Sequence, residues 1–145
     1  MGNGIAQTAA GAGFQVVMCD VNEALLERGV ANIGKSLDRF VKKETMTEEQ
    51  KAEVLGRIET TTNLEDLAKC TLIVEAATEN FEIKRKIFET LDTVCSPETI
   101  LSSNTSSISI TKIAGVTKRP DKVIGMHFFN PVPLMKLVEV IRGIA

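Results

Sequence analysis

The spacing of hydrophobic residues changes several times along the chain, and the changes outline alternating helices and strands. Asn3 to Ala12 is Ala-rich and poor in β-branched residues, with Gly11 and Gly13 at its exit, which predicts a short helix closed by glycine. Phe14 to Cys19, FQVVMC, is an apolar run that stops at Asp20 and predicts a buried strand. Asn22 suits the cap of a long helix whose apolar stripe is Leu26, Val30, Ile33, Leu37 and Val41. Thr47 and Gln50 have the spacing of a capping box, which predicts a second helix to about Arg57.

The period then shortens. Cys70 to Ala77, CTLIVEAA, predicts a strand, and Ile83, Ile87, Phe88, Leu91 and Val94 predict a helix after it. Thr99 to Asn104 predicts a strand running into a polar turn, and Ile110 to Ala114 a short helix. Val123 to Phe129 and Leu137 to Ile141 predict two more strands, separated by NPVP. Strands alternating with helices imply an α/β fold with a mostly parallel sheet. The helical pair before Arg57 is longer than an ordinary crossover and suggests a binding role.

Composition narrows the function classes. A length of 145 residues with 43% hydrophobic and 25% charged residues suits one domain, or part of one, with a packed core. A net charge of −2 gives no electrostatic case for nucleic acid or a membrane surface, and the absence of Tyr and Trp removes most base-stacking platforms. The three cysteines form no C-x-x-C pair, which suits reduced thiols in a cytosolic protein. One histidine and dispersed cysteines make no metal set, so no metal is expected.

Several residues carry candidate chemistry. Gly2 and Gly4 open the first helix, where backbone N–H groups can face a pyrophosphate; loose glycines near a terminus are the plainer reading. Asp20 ends a strand, where a carboxylate can accept both ribose hydroxyls of an adenosine; a turn or cap residue is the alternative. Val21 follows it, with no Arg to hold a 2′-phosphate, which favours NAD over NADP. His127 lies near the C-terminal end of a strand, where open α/β sheets bind ligands, although a lone histidine is more often structural. Glu139 lies inside the apolar stretch KLVEVI, and a carboxylate buried there needs a partner. A strand–NPVP–strand connection could return Glu139 to His127, where it would hold one imidazole nitrogen and leave the other as a general base. SSNTSS, Ser102 to Ser107, offers hydroxyls at the mouth of the sheet or caps for the helix that follows. A serine nucleophile lacks its G-x-S-x-G signature. Lys35, Arg39, Lys42 and Lys43 share a helix face, which is either a polyanion site or a solvated surface.

Taken together, MGNGIAQ, the Asp that ends FQVVMCD, VEAATENFEIK, SSNTSS and GMHFFNPVPLMKLVEV resemble, in this order, the NAD-binding domain of L-3-hydroxyacyl-CoA dehydrogenases. The short bacterial-type 3-hydroxybutyryl-CoA dehydrogenases are the nearest in character. The resemblance runs over essentially the whole chain, and its most specific part is HFFNPVPLMKLVEV. It implies a Rossmann-type, mostly parallel sheet with a helical-hairpin insertion. It implies His127 as catalytic base, Glu139 as its orienting partner, Ser106 on the substrate oxygen and Asn130 as a supporting residue. Gly2, Gly4, Asp20, Glu79, Lys84 and Asn104 are implied on the cofactor side, with Glu79 and Lys84 lining the nicotinamide part of the cleft. Ser36 and Lys43 are implied as contacts to coenzyme A. The reaction implied is reversible, NAD-dependent oxidation of a 3-hydroxyacyl-CoA, in the cytoplasm or, in a eukaryote, the mitochondrial matrix.

The chain departs from the family pattern at both ends. The family's G-x-G-x-M-G-x-G-I-A turn is met from its Met onward, so residues 1–145 are expected to be an NAD-binding domain lacking its first strand. The strands at Phe14–Cys19 and Cys70–Ala77 would then flank a gap, each about 4.8 Å from its centre. The family's C-terminal helical domain, which makes the homodimer, is expected to be absent as well. A catalytically inactive module that binds nucleotide or coenzyme A is the alternative reading.

Overall fold

The structure, a computed structural model, describes residues 1–145. The chain divides into two compact units, one of residues 1–63 with 130–134, the other of residues 64–129 with 135–145.

The first unit is built from α1 (Gly2–Gly11), β1 (Val16–Cys19), α2 (Glu23–Lys42), α3 (Glu48–Gly56) and β2 (Ile58–Thr61). The caps form where the sequence places them. Asn22 accepts the N–H of Leu25 through its side chain, and Thr47 and Gln50 bond reciprocally as a capping box. Gly13, at φ +99°, turns the chain from α1 into β1, a conformation that a side chain would strain. The stripe on α2 buries Leu26, Ile33 and Leu37, and a core of Ala6, Ala10, Ile33, Leu37 and Val54 forms between the helices and the strands. Arg57 donates to the carbonyl of Ala10 at 2.8 Å and so satisfies the last turn of α1.

β2 has no counterpart among the predicted elements. It is a parallel neighbour of β1, with Val16 opposite Ile58 and Cys19 opposite Thr61. Its four residues, IETT, are too short and too polar for periodicity to reveal, and only its end residues are partly buried.

The second unit contains a 3₁₀ turn (Leu64–Lys69), β3 (Leu72–Glu75), α4 (Phe81–Val94), β4 (Ile100–Ser103), α5 (Ile110–Ala114), β5 (Val123–Phe128) and β6 (Val138–Arg142). The sheet order is β3-β4-β5-β6. β3, β4 and β5 are parallel, and β6 returns antiparallel to β5. The architecture is therefore mixed α/β with mostly parallel, Rossmann-like sheets. β1 and β3 are each hydrogen-bonded along one edge only.

β3 is shorter than the run Cys70–Ala77 that predicts it. The side chain of Glu75 accepts the N–H of Ala77 at 2.6 Å, which bends the chain out of the sheet at that point.

Arg119 fastens one end of the second unit. It is buried, and its guanidinium donates to Asp92 Oδ1 at 2.7 Å and to the carbonyls of Asp92, Cys95, Ser96 and Thr99. The fork of donors joins the end of α4 to the start of β4. Removing it takes the guanidinium's charge from a nearly buried carboxylate, which keeps only the N–H of Lys118, and takes one donor from each of four carbonyls. Arg119→Ala is therefore expected to destabilise the protein by about 3–5 kcal/mol, read as a lower midpoint in urea unfolding.

Candidate functional site

The first unit carries one set of candidate residues. α1 begins with Met1 at its cap and has no side-chain cap and no acidic residue in its first turn, so its leading N–H groups stay available. Gly4 serves packing as well. A Cβ at this position would lie 3.0 Å from the Cβ of Val132, so a side chain there would push the 130–134 segment back by a few tenths of an ångström. Asp20 is exposed at the end of β1, and its Oδ1 accepts the N–H of Val21 at 2.7 Å. The cap of α2 is Asn22, which leaves Oδ2 of Asp20 without a capping role.

Gly4, Ser36 and Asn130 meet around one cavity of about 250 Å³, together with Asn3, Gln7 and Asn32. Buried Gln7 donates to the hydroxyl of Ser36 at 3.0 Å and fixes it. A smaller cavity of about 90 Å³ is lined by Ser36, Arg39, Phe40 and Lys43. Arg39 and Lys43, two of the four basic residues Lys35, Arg39, Lys42 and Lys43, thus border it, and no carboxylate does. Lys35 and Lys42 belong to neither cavity and are exposed.

The second unit carries the other set. His127 on β5 and Glu139 on β6 are direct partners in the antiparallel register. Nδ1 of His127 lies 3.9 Å from Oε1 of Glu139, a distance for charge attraction or a bridging water rather than a direct hydrogen bond. The ring of Phe129 tilts against the imidazole, with centroids 4.7 Å apart. Glu139 is not a buried carboxylate. Its side chain is 51% exposed, and every residue of β6 is exposed within residues 1–145, so the apolar letters of KLVEVI do not signal a core position there.

The buried carboxylate is Glu75. Its side chain is 3% exposed and that of Lys84 1%, and the Nζ of Lys84 bonds both carboxylate oxygens, at 2.8 and 2.9 Å. Lys84 therefore lies beneath the surface instead of lining a cleft, and its ammonium is 3.8 Å from Glu79. Ser103 also donates to Glu75, at 2.6 Å. The sequence pattern gives Glu75 no role of its own, and Ser103 only a place among the hydroxyls of SSNTSS. The signal was an acidic residue in the apolar strand LIVEAA with a lysine on the next helix.

Glu79 is half-exposed and accepts from the hydroxyls of Thr105 and Ser107. Partial burial pushes its carboxyl up, but the bonds from Ser107 and Thr105 and the charge of Lys84 outweigh burial and hold it below its ordinary value of 4.5. Asn104 accepts the N–H of Phe128 through its amide oxygen at 2.8 Å, which ties the end of β4 to the residue after His127. Ser106 is exposed and makes no side-chain hydrogen bond, whereas its neighbours do. α5 is capped from outside the SSNTSS stretch, by Ser109.

The lowered value for Glu79 fixes the sign of a pH effect. A carboxyl with a depressed folded-state pKa stabilises the fold above its unfolded value, and the contribution fades as pH falls through the folded one. The stability difference between wild type and Glu79→Gln is therefore expected to be larger near about pH 7 than near about pH 3, measured by denaturant unfolding at both.

The chain matches, over residues 1–145, the family model described as 3-hydroxyacyl-CoA dehydrogenase, NAD binding domain. It is 55% identical to a 3-hydroxybutyryl-CoA dehydrogenase of Bradyrhizobium diazoefficiens, over 100% of this chain and 50% of that protein. It is 53% identical to a probable 3-hydroxybutyryl-CoA dehydrogenase of Bacillus subtilis, with the same coverage. The crystal structure of (S)-3-hydroxybutyryl-CoA dehydrogenase from Ralstonia eutropha superposes with a TM-score of 0.97 at 53% identity, covering 99% of this chain and 51% of that one. The chain thus spans about half the length of these relatives. A model matched along the whole chain, and relatives above half identity, place it by descent: the chain belongs to the family of 3-hydroxyacyl-CoA dehydrogenase NAD-binding domains.

Proposed function

We propose that the protein carrying this chain oxidises a 3-hydroxyacyl-CoA reversibly to the 3-ketoacyl-CoA, with NAD as cofactor and short-chain 3-hydroxybutyryl-CoA as substrate. The reading places it in the cytoplasm, in fatty acid or butanoate metabolism, as a homodimer through a C-terminal helical domain. The observation that carries it is the facing of His127 by Glu139 across β5 and β6.

The residues fit the cofactor on their own chemistry. The uncapped first turn of α1, beginning at Gly2, would receive the pyrophosphate, and the exposed carboxylate of Asp20 would accept the adenosine ribose hydroxyls. Glu79 and Asn104 would serve the nicotinamide side, with Lys84 acting from below through Glu79. When bound, NAD supplies the acceptor for the hydrogen and electron pair that leave carbon 3 of the substrate. Nε2 of His127 takes the hydroxyl proton, since Nδ1 faces Glu139. Glu139 stabilises the imidazolium that results. The unbonded hydroxyl of Ser106 donates to the substrate oxygen as its charge changes. Asn130 supports the acyl end, and Ser36 and Lys43, with Arg39 beside them, hold the anionic part of coenzyme A.

Two substitutions test this reading in a protein of the relatives' length. His127→Gln is expected to lower kcat by roughly 10²–10⁴-fold while NADH affinity stays within about twofold. Turnover within a few-fold of wild type would remove His127 as the base. Lys43→Gln is expected to raise KM for the acyl-CoA by about tenfold, with kcat little changed and the effect shrinking in high salt. A salt-independent KM at the wild-type value would remove the coenzyme A assignment.

A further inference from the structure

The bonding around Ser106 is uneven, and the unevenness has a source. Ser103 Oγ accepts the N–H of Thr105 at 3.3 Å, and Thr105 Oγ1 accepts the N–H of Ile108 at 3.0 Å and that of Ser107 at 3.3 Å. Thr105 and Ser107 both donate to Glu79. Each of these neighbours is tied, and Ser106 alone in the stretch projects an uncommitted hydroxyl. The ties converge on one buried group. Glu75 holds Ser103 directly at 2.6 Å, and it holds Lys84, whose ammonium stands 3.8 Å from Glu79.

We propose that Glu75 is a positioning residue for Ser106: one arm through Ser103 and a second through Lys84 and Glu79 fix the 103–108 turn so that the Ser106 hydroxyl meets the substrate oxygen. The proposal rests on the reading of Ser106 given above. It adds that the bonds within the turn, from the amides of Thr105, Ser107 and Ile108, are anchored by a buried carboxylate outside it. Reacting groups tolerate little displacement, and a misplacement of about 1 Å can cost on the order of a hundredfold in rate. A loosened turn therefore shows in kcat before it shows in binding.

A double-mutant cycle in a protein of the relatives' length separates positioning from general damage. Glu75→Gln keeps the shape but removes the charge that Lys84 needs, so it carries a risk of misfolding. Ser103→Ala deletes one buried hydroxyl and breaks only the direct arm, so it decides the matter where Glu75→Gln does not fold. Each is made in the wild-type and in the Ser106→Ala background, with kcat and KM measured. In the wild-type background either change is expected to lower kcat about tenfold with KM within about twofold. In the Ser106→Ala background the same change is expected to move kcat by less than about twofold, because the group being positioned is gone. Equal losses in both backgrounds would overturn the proposal and leave the assignment of Ser106 standing. Wild-type kcat in Ser103→Ala would overturn it in the same way. Wild-type kcat in Ser106→Ala alone would overturn both together.

Discussion

Much of the second unit depends on one buried ion pair, Glu75 with Lys84. Two charges removed from water are costly unless their hydrogen-bonding capacity is met. Here it is met: the carboxylate accepts from Lys84 on both oxygens, from the Ser103 hydroxyl and from the Ala77 amide. The pair joins the end of β3 to the first turn of α4 and to the last residue of β4. A hydrophobic replacement of equal volume could fill the same space. It could not reach the polar turn above, which is where the exposed hydroxyls and Glu79 lie.

Two carboxylate contacts of this unit differ in kind. Glu75 and Lys84 are enclosed, close and held by several donors. His127 and Glu139 are partly open, 3.9 Å apart and brought opposite each other by backbone register alone. The first arrangement suits a fixed support. The second suits a group whose proton and charge must change. Asn104 bridges the contexts, since its backbone N–H bonds the carbonyl of Glu75 and its side chain bonds the N–H of Phe128.

The helices were the legible part of the sequence, because their caps and stripes are local. Asn22, the Thr47–Gln50 box and the buried Leu26, Ile33 and Leu37 could all be read in a window of a few residues. β2 could not, since a strand of two partly buried and two exposed residues has no period. The rule that an acidic residue among apolar ones is buried and paired holds at a different glutamate from the one for which the pattern predicts it. It describes Glu75. At Glu139 it fails because the apolar residues of β6 are exposed as well within residues 1–145. The place of Lys84 under the surface was also illegible, as the resemblance names a residue and its region but not its depth. Gln7 went unnoticed because an amide in an Ala-rich helix gives no hint that it will fix a serine on another helix.

The open edge at β6 has a bearing on how such a sequence can drift. Glu139 faces His127 because main-chain bonds from Ile124↔Arg142 to Phe128↔Val138 set the register, and none of the β6 side chains is buried in the process. Selection on that strand therefore has two separable targets. One is the identity of a single acidic residue. The other is an unbroken ladder, since a slip of one residue would carry the carboxylate to the opposite face. A change of side chain elsewhere on β6 leaves that facing intact as long as the ladder holds, whereas a single-residue insertion within the strand would turn Glu139 away from His127.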